Sequence, residues 1–251
     1  MDKNGKEFLV PKATRDYDGL EFSVRGQATK SLTMNASYTY SRLYGNYSGL
    51  ANSDENGRSN PNNDRAFDLP FYYFDASGSQ QNVFGRLATD RPHTLKLFLA
   101  YDLSTRAGHT LFGLNQVAYS GTPLSTSVIY QSAPTYPNGR GDLGRTPVYT
   151  QTDFQVSHTI KASERYIIKL EANAQNVLNQ GKAINYATQI NRSGAITAAQ
   201  LPVSKFFAGY NLASFVGPAN LAGNAKYQPA YNLPTSYQGN RDIRLGVRLI
   251  F

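Results

Sequence analysis

The 251-residue chain has no cysteine and no tryptophan, only two methionines and three histidines. Without cysteine it can hold no disulfide framework, thiolate nucleophile or cysteine-ligated metal, and it suits an oxidising compartment. His93, His109 and His158 fall on separate strands or strand starts with no partner at metal-ligand spacing, so they read as strand or interface histidines. No G-x-S-x-G sits in a strand-turn-helix setting. The chain is therefore expected to be no enzyme, with no catalytic residue and no cofactor. Long apolar runs are missing too: nothing approaches the roughly 20 residues of a membrane helix. Met1 to Lys12 has no apolar signal core, so an upstream portion carrying the export signal is expected. The net charge of +8 is spread without a basic helix or RNA-binding motif, which argues against nucleic acid as a partner.

What the chain has in abundance is alternation. From Arg241 to Phe251, Ile243, Leu245, Val247, Leu249 and Phe251 share one parity, while Asp242, Arg244, Gly246 and Arg248 take the other with Ile250. One face suits lipid and the other water, as in a membrane β-strand. The apolar set Leu245, Val247, Leu249 and Phe251 resembles the C-terminal assembly signal of bacterial outer-membrane barrels.

The same pattern recurs upstream. It covers Leu20 to Ala28, Leu32 to Ser41, Thr94 to Asp102, Leu111 to Ser120, Phe154 to Ile160 and Tyr166 to Gln175, which with the terminal run makes about seven strands. Only 111–120 changes parity, with Phe112 and Leu114 on one side and Val117 and Tyr119 on the other, so a β-bulge near Gly113 is expected. A mean hydropathy of -0.46 fits a wall that shows only alternate residues to lipid.

Connections alternate as well. Thr29 to Ser31, Ser104 to Gly108 and Lys161 to Arg165 are short, whereas 45–92, 121–149 and 178–241 are long and rich in Gly, Asn, Pro and Tyr. Membrane barrels keep short turns in the periplasm and long loops outside, which places Phe251 on the periplasmic side. Tyr17, Tyr38, Tyr40, Tyr44, Tyr101, Tyr119, Tyr149 and Tyr166 lie near strand ends and are predicted to form interfacial girdles. Glu21, Arg25, Lys96, Asp102, Asp153, Lys169, Glu171, Arg244 and Arg248 are predicted to line the lumen. Seven strands leave two edges unpaired in lipid, at several kcal/mol for each unsatisfied group, so the segment should complete a larger barrel.

Two loop features are candidate sites. The 178–241 loop holds Phe206, Phe207, Tyr210, Phe215 and Tyr227, which either contact a ligand or give the loop its own small core. Ala195 to Gln200 is predicted to make a helical turn there. Asn52, Asp54 and Asn56, with Gly57, match the start of a calcium loop, but Asn63 stands where the bidentate Glu belongs, and the same residues are ordinary turn formers. Arg140-Gly141-Asp142 spells an adhesion tripeptide of no weight in a glycine-rich loop.

The run Tyr17-Asp18-Gly19-Leu20-Glu21-Phe22-Ser23-Val24, then Ala36-Ser37-Tyr38-Thr39-Tyr40-Ser41-Arg42, resembles the late strands of TonB-dependent outer-membrane transporters of the Oar-like branch, whose N-terminal part carries a carboxypeptidase-regulatory-like domain. Asp90-Arg91-Pro92-His93, Ser120-Gly121-Thr122-Pro123, Asn176-Val177-Leu178-Asn179 and Arg244-Leu245-Gly246-Val247-Arg248 extend the likeness over nearly the whole chain. The resemblance implies an all-β antiparallel transmembrane barrel of about 22 strands around a plug, of which this segment is the last third. Residues 1–16 would lead in from an upstream strand and 17–251 would form the C-terminal part of the barrel. Its role would be in energy-coupled uptake of a solute across the outer membrane. Expected partners are outer-membrane lipid and lipopolysaccharide, the barrel-assembly machinery at the C-terminal strand, and, through the missing N-terminal part alone, the plug and TonB. The alternative is a small closed outer-membrane barrel acting as a structural or adhesion protein, with Asp2 to Val10 as its eighth strand. A soluble β-sandwich would require short loops at both ends.

Overall fold

Period-two alternation over nine or more residues leaves the chain one economical solution, a long strand with one apolar face. A computed structural model describes residues 7, 11–49, 51–52, 58–59, 69, 74–78, 84–221, 223 and 225–251. Seven long strands dominate it: β1 (Arg15–Gln27), β2 (Leu32–Gly45), β3 (His93–Thr105), β4 (Gly108–Tyr119), β5 (Tyr149–Lys161), β6 (Ile167–Gln175) and β7 (Asp242–Ile250). They form one antiparallel meander in chain order, with the two-residue strand Gly85–Arg86 added against β2. The short turns lie at one end and the three long loops at the other. Among the described residues β1 and β7 are each paired on one side only, so the sheet they form is open.

Register carries the face assignments across the sheet. Met34 of β2 pairs with Leu99, Leu99 with Leu114, Leu114 with Phe154, Phe154 with Ala174 and Ala174 with Ile243. This is an unbroken apolar row from strand to strand. On the other face Asn35 pairs with Phe98, Phe98 with Asn115 and Asn115 with Asp153. All nine charged residues predicted to line the lumen share this second face by register. The apolar face is exposed, most strongly along β7, where Leu245 is 81% and Val247 77% accessible. A contiguous apolar band of this extent needs a non-aqueous neighbour.

Three expectations change. The bulge near Gly113 is not formed, because β4 pairs with β3 and β5 without a register shift. The parity change has another cause: Gln116 turns its polar head back onto the wall, donating to the Val117 carbonyl at 2.8 Å and accepting from the Thr152 hydroxyl at 2.5 Å. Tyr119, on the opposite face, stacks on Tyr149 at 5.9 Å. The tyrosine girdle holds only in part, since register places Tyr38, Tyr40, Tyr44 and Tyr101 on the apolar face but Tyr17, Tyr119 and Tyr149 on the other. Finally, β1 begins at Arg15 rather than Leu20 and β2 runs on to Gly45, because Arg15 to Gly19 continue the ladder against Ser41 to Gly45 beyond the point where alternation ends. The proposed eighth strand, Asp2 to Val10, lies outside the described residues apart from Glu7.

The long loops carry a separate core. Phe74, Val128, Tyr130, Ile196, Leu201, Phe206, Phe207 and Val216 are buried together, with Tyr210, Leu212 and Phe215 against them. Helix α1 (Val203–Ala208) contributes Phe206 and Phe207 to it. The helical turn predicted at 195–200 forms over the second half of that stretch: Ile196 is bridged to Tyr130, and the Thr197 carbonyl then accepts from the Gln200 amide at 3.0 Å and the Leu201 amide at 2.9 Å. The helix starts only after Pro202, whose fixed φ suits the residue before a first turn. Phe206 lies 4.4 Å from Tyr130 and 5.1 Å from Tyr210, ring to ring. Phe206→Ala should loosen this core by about 3–5 kcal/mol while leaving the strands intact. Hydrogen exchange would show lost protection over residues 190–216 and none in β4 or β5; uniform loss would refute a separate loop core.

Candidate functional site

The long-loop end of the sheet is where polar and charged side chains converge. Its rim is built by two of the short motifs read in the sequence. Asp90, fully buried, accepts from the Leu43 amide at 2.7 Å and the Arg86 guanidinium at 3.1 Å, and makes a short ion pair with Arg145. Arg145 also donates to the carbonyls of Asp90 (3.0 Å) and Gly121 (2.8 Å). Arg91 donates to the Ser120 carbonyl at 2.8 Å, and the His93 amide donates to the Ser120 hydroxyl at 3.0 Å. Gly121 must be glycine, because a Cβ there would lie 1.6 Å from the Thr146 carbonyl oxygen. Burial alone would push the Asp90 carboxyl up, but the hydrogen bonds from Arg145, Leu43 and Arg86 outweigh it and hold it below its ordinary value. Neither Arg86 nor Arg145 was foreseen, because arginines in polar loops give no periodic signal.

A second clasp closes the base of the largest loop. Asn176 donates to the carbonyls of Gln180 (2.9 Å) and Gly239 (2.8 Å), and its amide donates to Asp153 at 2.9 Å. Asn179 accepts from the Arg241 amide at 3.1 Å. Both asparagines have positive φ, 49° and 52°, a conformation that asparagine tolerates better than most residues.

Above the rim, the 120–148 and 176–241 loops enclose a cleft of about 780 Å³. Arg140 and Arg192 are the charged residues that line it, beside hydroxyls and amides such as Ser125, Thr188 and Gln228. Arg140 lies over the Tyr136 ring at 5.0 Å. The adjoining Asp142 is turned away into the loop, accepting from the Thr126 amide (2.7 Å) and hydroxyl (2.5 Å), so the adhesion-like tripeptide is a structural bend. A shallower groove of about 290 Å³ lies along the sheet, between Phe98, Asn115, Asp153, Asn173, Asp242 and Arg244.

The five aromatic residues named as ligand-contact candidates fall into the loop scaffold. Phe206 and Phe207 are buried, Tyr210 and Phe215 pack on them, and Tyr227 sits in the short strand Lys226–Tyr227, tilted against Tyr231 at 6.3 Å. Of the calcium-loop candidates, Asp54 and Asn56 lie outside the described residues, and Ala51–Asn52 pairs with Arg58–Ser59. Each histidine has a sheet partner: His93 bonds Tyr38 at 2.7 Å, His109 meets Asp102 at 2.6 Å and His158 bonds Thr110 at 2.8 Å.

No family model matches the chain, and no solved structure matches it. Among curated proteins, it is 27% identical over 263 aligned positions to the TonB-dependent transporter Oar of Myxococcus xanthus. The chain is similar to a TonB-dependent transporter. That alignment takes in 96% of this chain but 23% of the transporter, so the chain spans about a quarter of that relative's length. The antiparallel sheet accords with that relationship.

Proposed function

We propose that this chain forms wall and outer loops of an Oar-like TonB-dependent receptor, part of a barrel of about 22 strands serving energy-coupled uptake of a solute. The observation that carries the reading is the open seven-stranded meander, apolar on one face and charged on the other, with every long loop at one end. In hydrocarbon, unpaired edge groups on β1 and β7 would each cost several kcal/mol, so neighbouring strands must cover them. Among the described residues β1 and β7 do not meet, and the small closed barrel would need Asp2 to Val10, which lies outside them apart from Glu7, to join the two edges. Coupling through a plug and TonB would fall to the rest of the protein.

This chain contains no cysteine, so with any cysteine elsewhere in the full-length protein replaced by serine the topology is directly testable. In the full-length protein in whole cells, Lys205→Cys on the loops should react with a membrane-impermeant maleimide. Arg106→Cys in a short turn should react only after the cells are broken. The opposite pattern, or recovery of the protein in the soluble fraction, would overturn the proposal.

A further inference from the structure

We propose that the groove on the charged face of the sheet, between β3 and β7, is a saccharide subsite that holds one ring of a neutral oligosaccharide. The inference rests on the reading that this face lines the lumen. Register sets its floor: Phe98 pairs with Asn115 and Asn115 with Asp153 in one row, and Gly113 with Gln155 and Gln155 with Asn173 in the next. Gly113 makes the hollow. It sits in mid-strand without a bulge, its φ is not positive, and a Cβ there would meet nothing nearer than the Gln155 Cβ at 3.6 Å. Neither backbone nor packing demands glycine at this position. A glycine inside a strand weakens it, and where there is no bulge or bend it marks a close approach by a ligand or another backbone.

The side chains around the hollow select a sugar. Phe98, 45% exposed, presents its ring to the groove, and the apolar face of a pyranose gains by covering such a ring. Gln155, Asn173 and Gln175 make no side-chain hydrogen bond to a described residue, so each amide offers both donors and an acceptor to ring hydroxyls. The Asp153 carboxylate is a further acceptor, held in place by the Asn176 amide at 2.9 Å and the Gln151 side chain at 2.8 Å. Arg244 is paired with Asp242 at 2.8 Å, which leaves no unpaired cation for an anionic ligand among the described lining residues. Another backbone fits less well. A peptide binds a sheet through main-chain hydrogen bonds, and β4, β5 and β6 are already paired on both sides. At about 290 Å³ the groove is at the small end of ligand sites, which suits one ring at a time.

The test is calorimetry on the detergent-solubilised full-length protein with maltotriose, cellotriose, xylotriose and, as a peptide control, trialanine. At least one of the three sugars should bind, and trialanine should bind at least tenfold more weakly. Gly113→Val should weaken that sugar at least tenfold while the denaturation midpoint stays level or rises, because a β-branched residue suits a strand. Phe98→Ala should weaken it by about tenfold, and Phe98→Tyr, which keeps a ring, should restore it. Absence of sugar binding, equal binding of trialanine, or indifference to either Gly113→Val or Phe98→Ala would overturn the subsite. So would a lowered midpoint in Gly113→Val, which would give the glycine a purely structural role. If Lys205→Cys still labels on whole cells in any of those events, the receptor reading stands and only the saccharide proposal fails.

Discussion

Leu114→Arg is expected to destabilise the folded wall by about 2–4 kcal/mol, whereas Asn115→Arg, one residue along the same strand, should be near neutral. Leu114 lies in the apolar row between Leu99 and Phe154, so a guanidinium there would be forced into hydrocarbon near mid-strand. Asn115 points to the other face, where it donates to Asp153 at 3.4 Å and where an arginine would gain an opposite charge. Denaturant titration of the full-length protein in liposomes would measure both. Equal costs would mean that both faces meet water, and the membrane assignment would fall. A larger cost at Asn115 would reverse the inside and outside of the wall.

Removing the buried carboxylate at the rim should have an effect of similar size. Asp90→Ala leaves Arg145 without its anion and the Leu43 amide without its acceptor, at about 3 kcal/mol. Adding Arg145→Met should recover part of that loss, because the uncompensated cation is what costs most. The pH dependence has a definite sign. The folded Asp90 carboxyl titrates below its ordinary value of 3.8, so its contribution is complete above that value and is lost as pH falls through the lower, folded one. Hydrogen exchange at the Leu43 and His93 amides, whose acceptors are Asp90 and Ser120, would follow the loosening. Protection that survives unchanged in Asp90→Ala would show the clasp to be incidental.

The wall was legible because a half-buried strand must alternate, and a ladder propagates that parity from one strand to the next. Strand order followed from short turns, which leave adjacent strands no partner but each other. Legibility stopped where side chains answer to distant backbone. Gln116 looked like a slip in register because its bond to Thr152 cannot be read from one strand alone. Arg145 carries no local mark of its pairing with Asp90, distant in sequence. The aromatics of the largest loop were conspicuous, yet composition cannot separate a surface that meets a ligand from a core that supports one. Arg140 and Arg192 were passed over because a lone arginine in a polar loop resembles any solvated charge until the fold sets the two beside one cleft.

The clasp made by Asn176, Asn179, Gly239 and Arg241 means that β6 and β7 are held together at the mouth of their connection, before the chain between them has any say. The Gln238 amide donates to the Lys182 carbonyl at 2.8 Å, and Ala183 pairs with Tyr237, extending the seam outward. Whatever lies beyond that seam can be lengthened, shortened or exchanged at little cost to the strands, because loop-closure entropy grows only slowly once the ends are pinned. The wall and its outer surface are thus free to diverge at different rates, and a new specificity can be grafted without renegotiating the sheet.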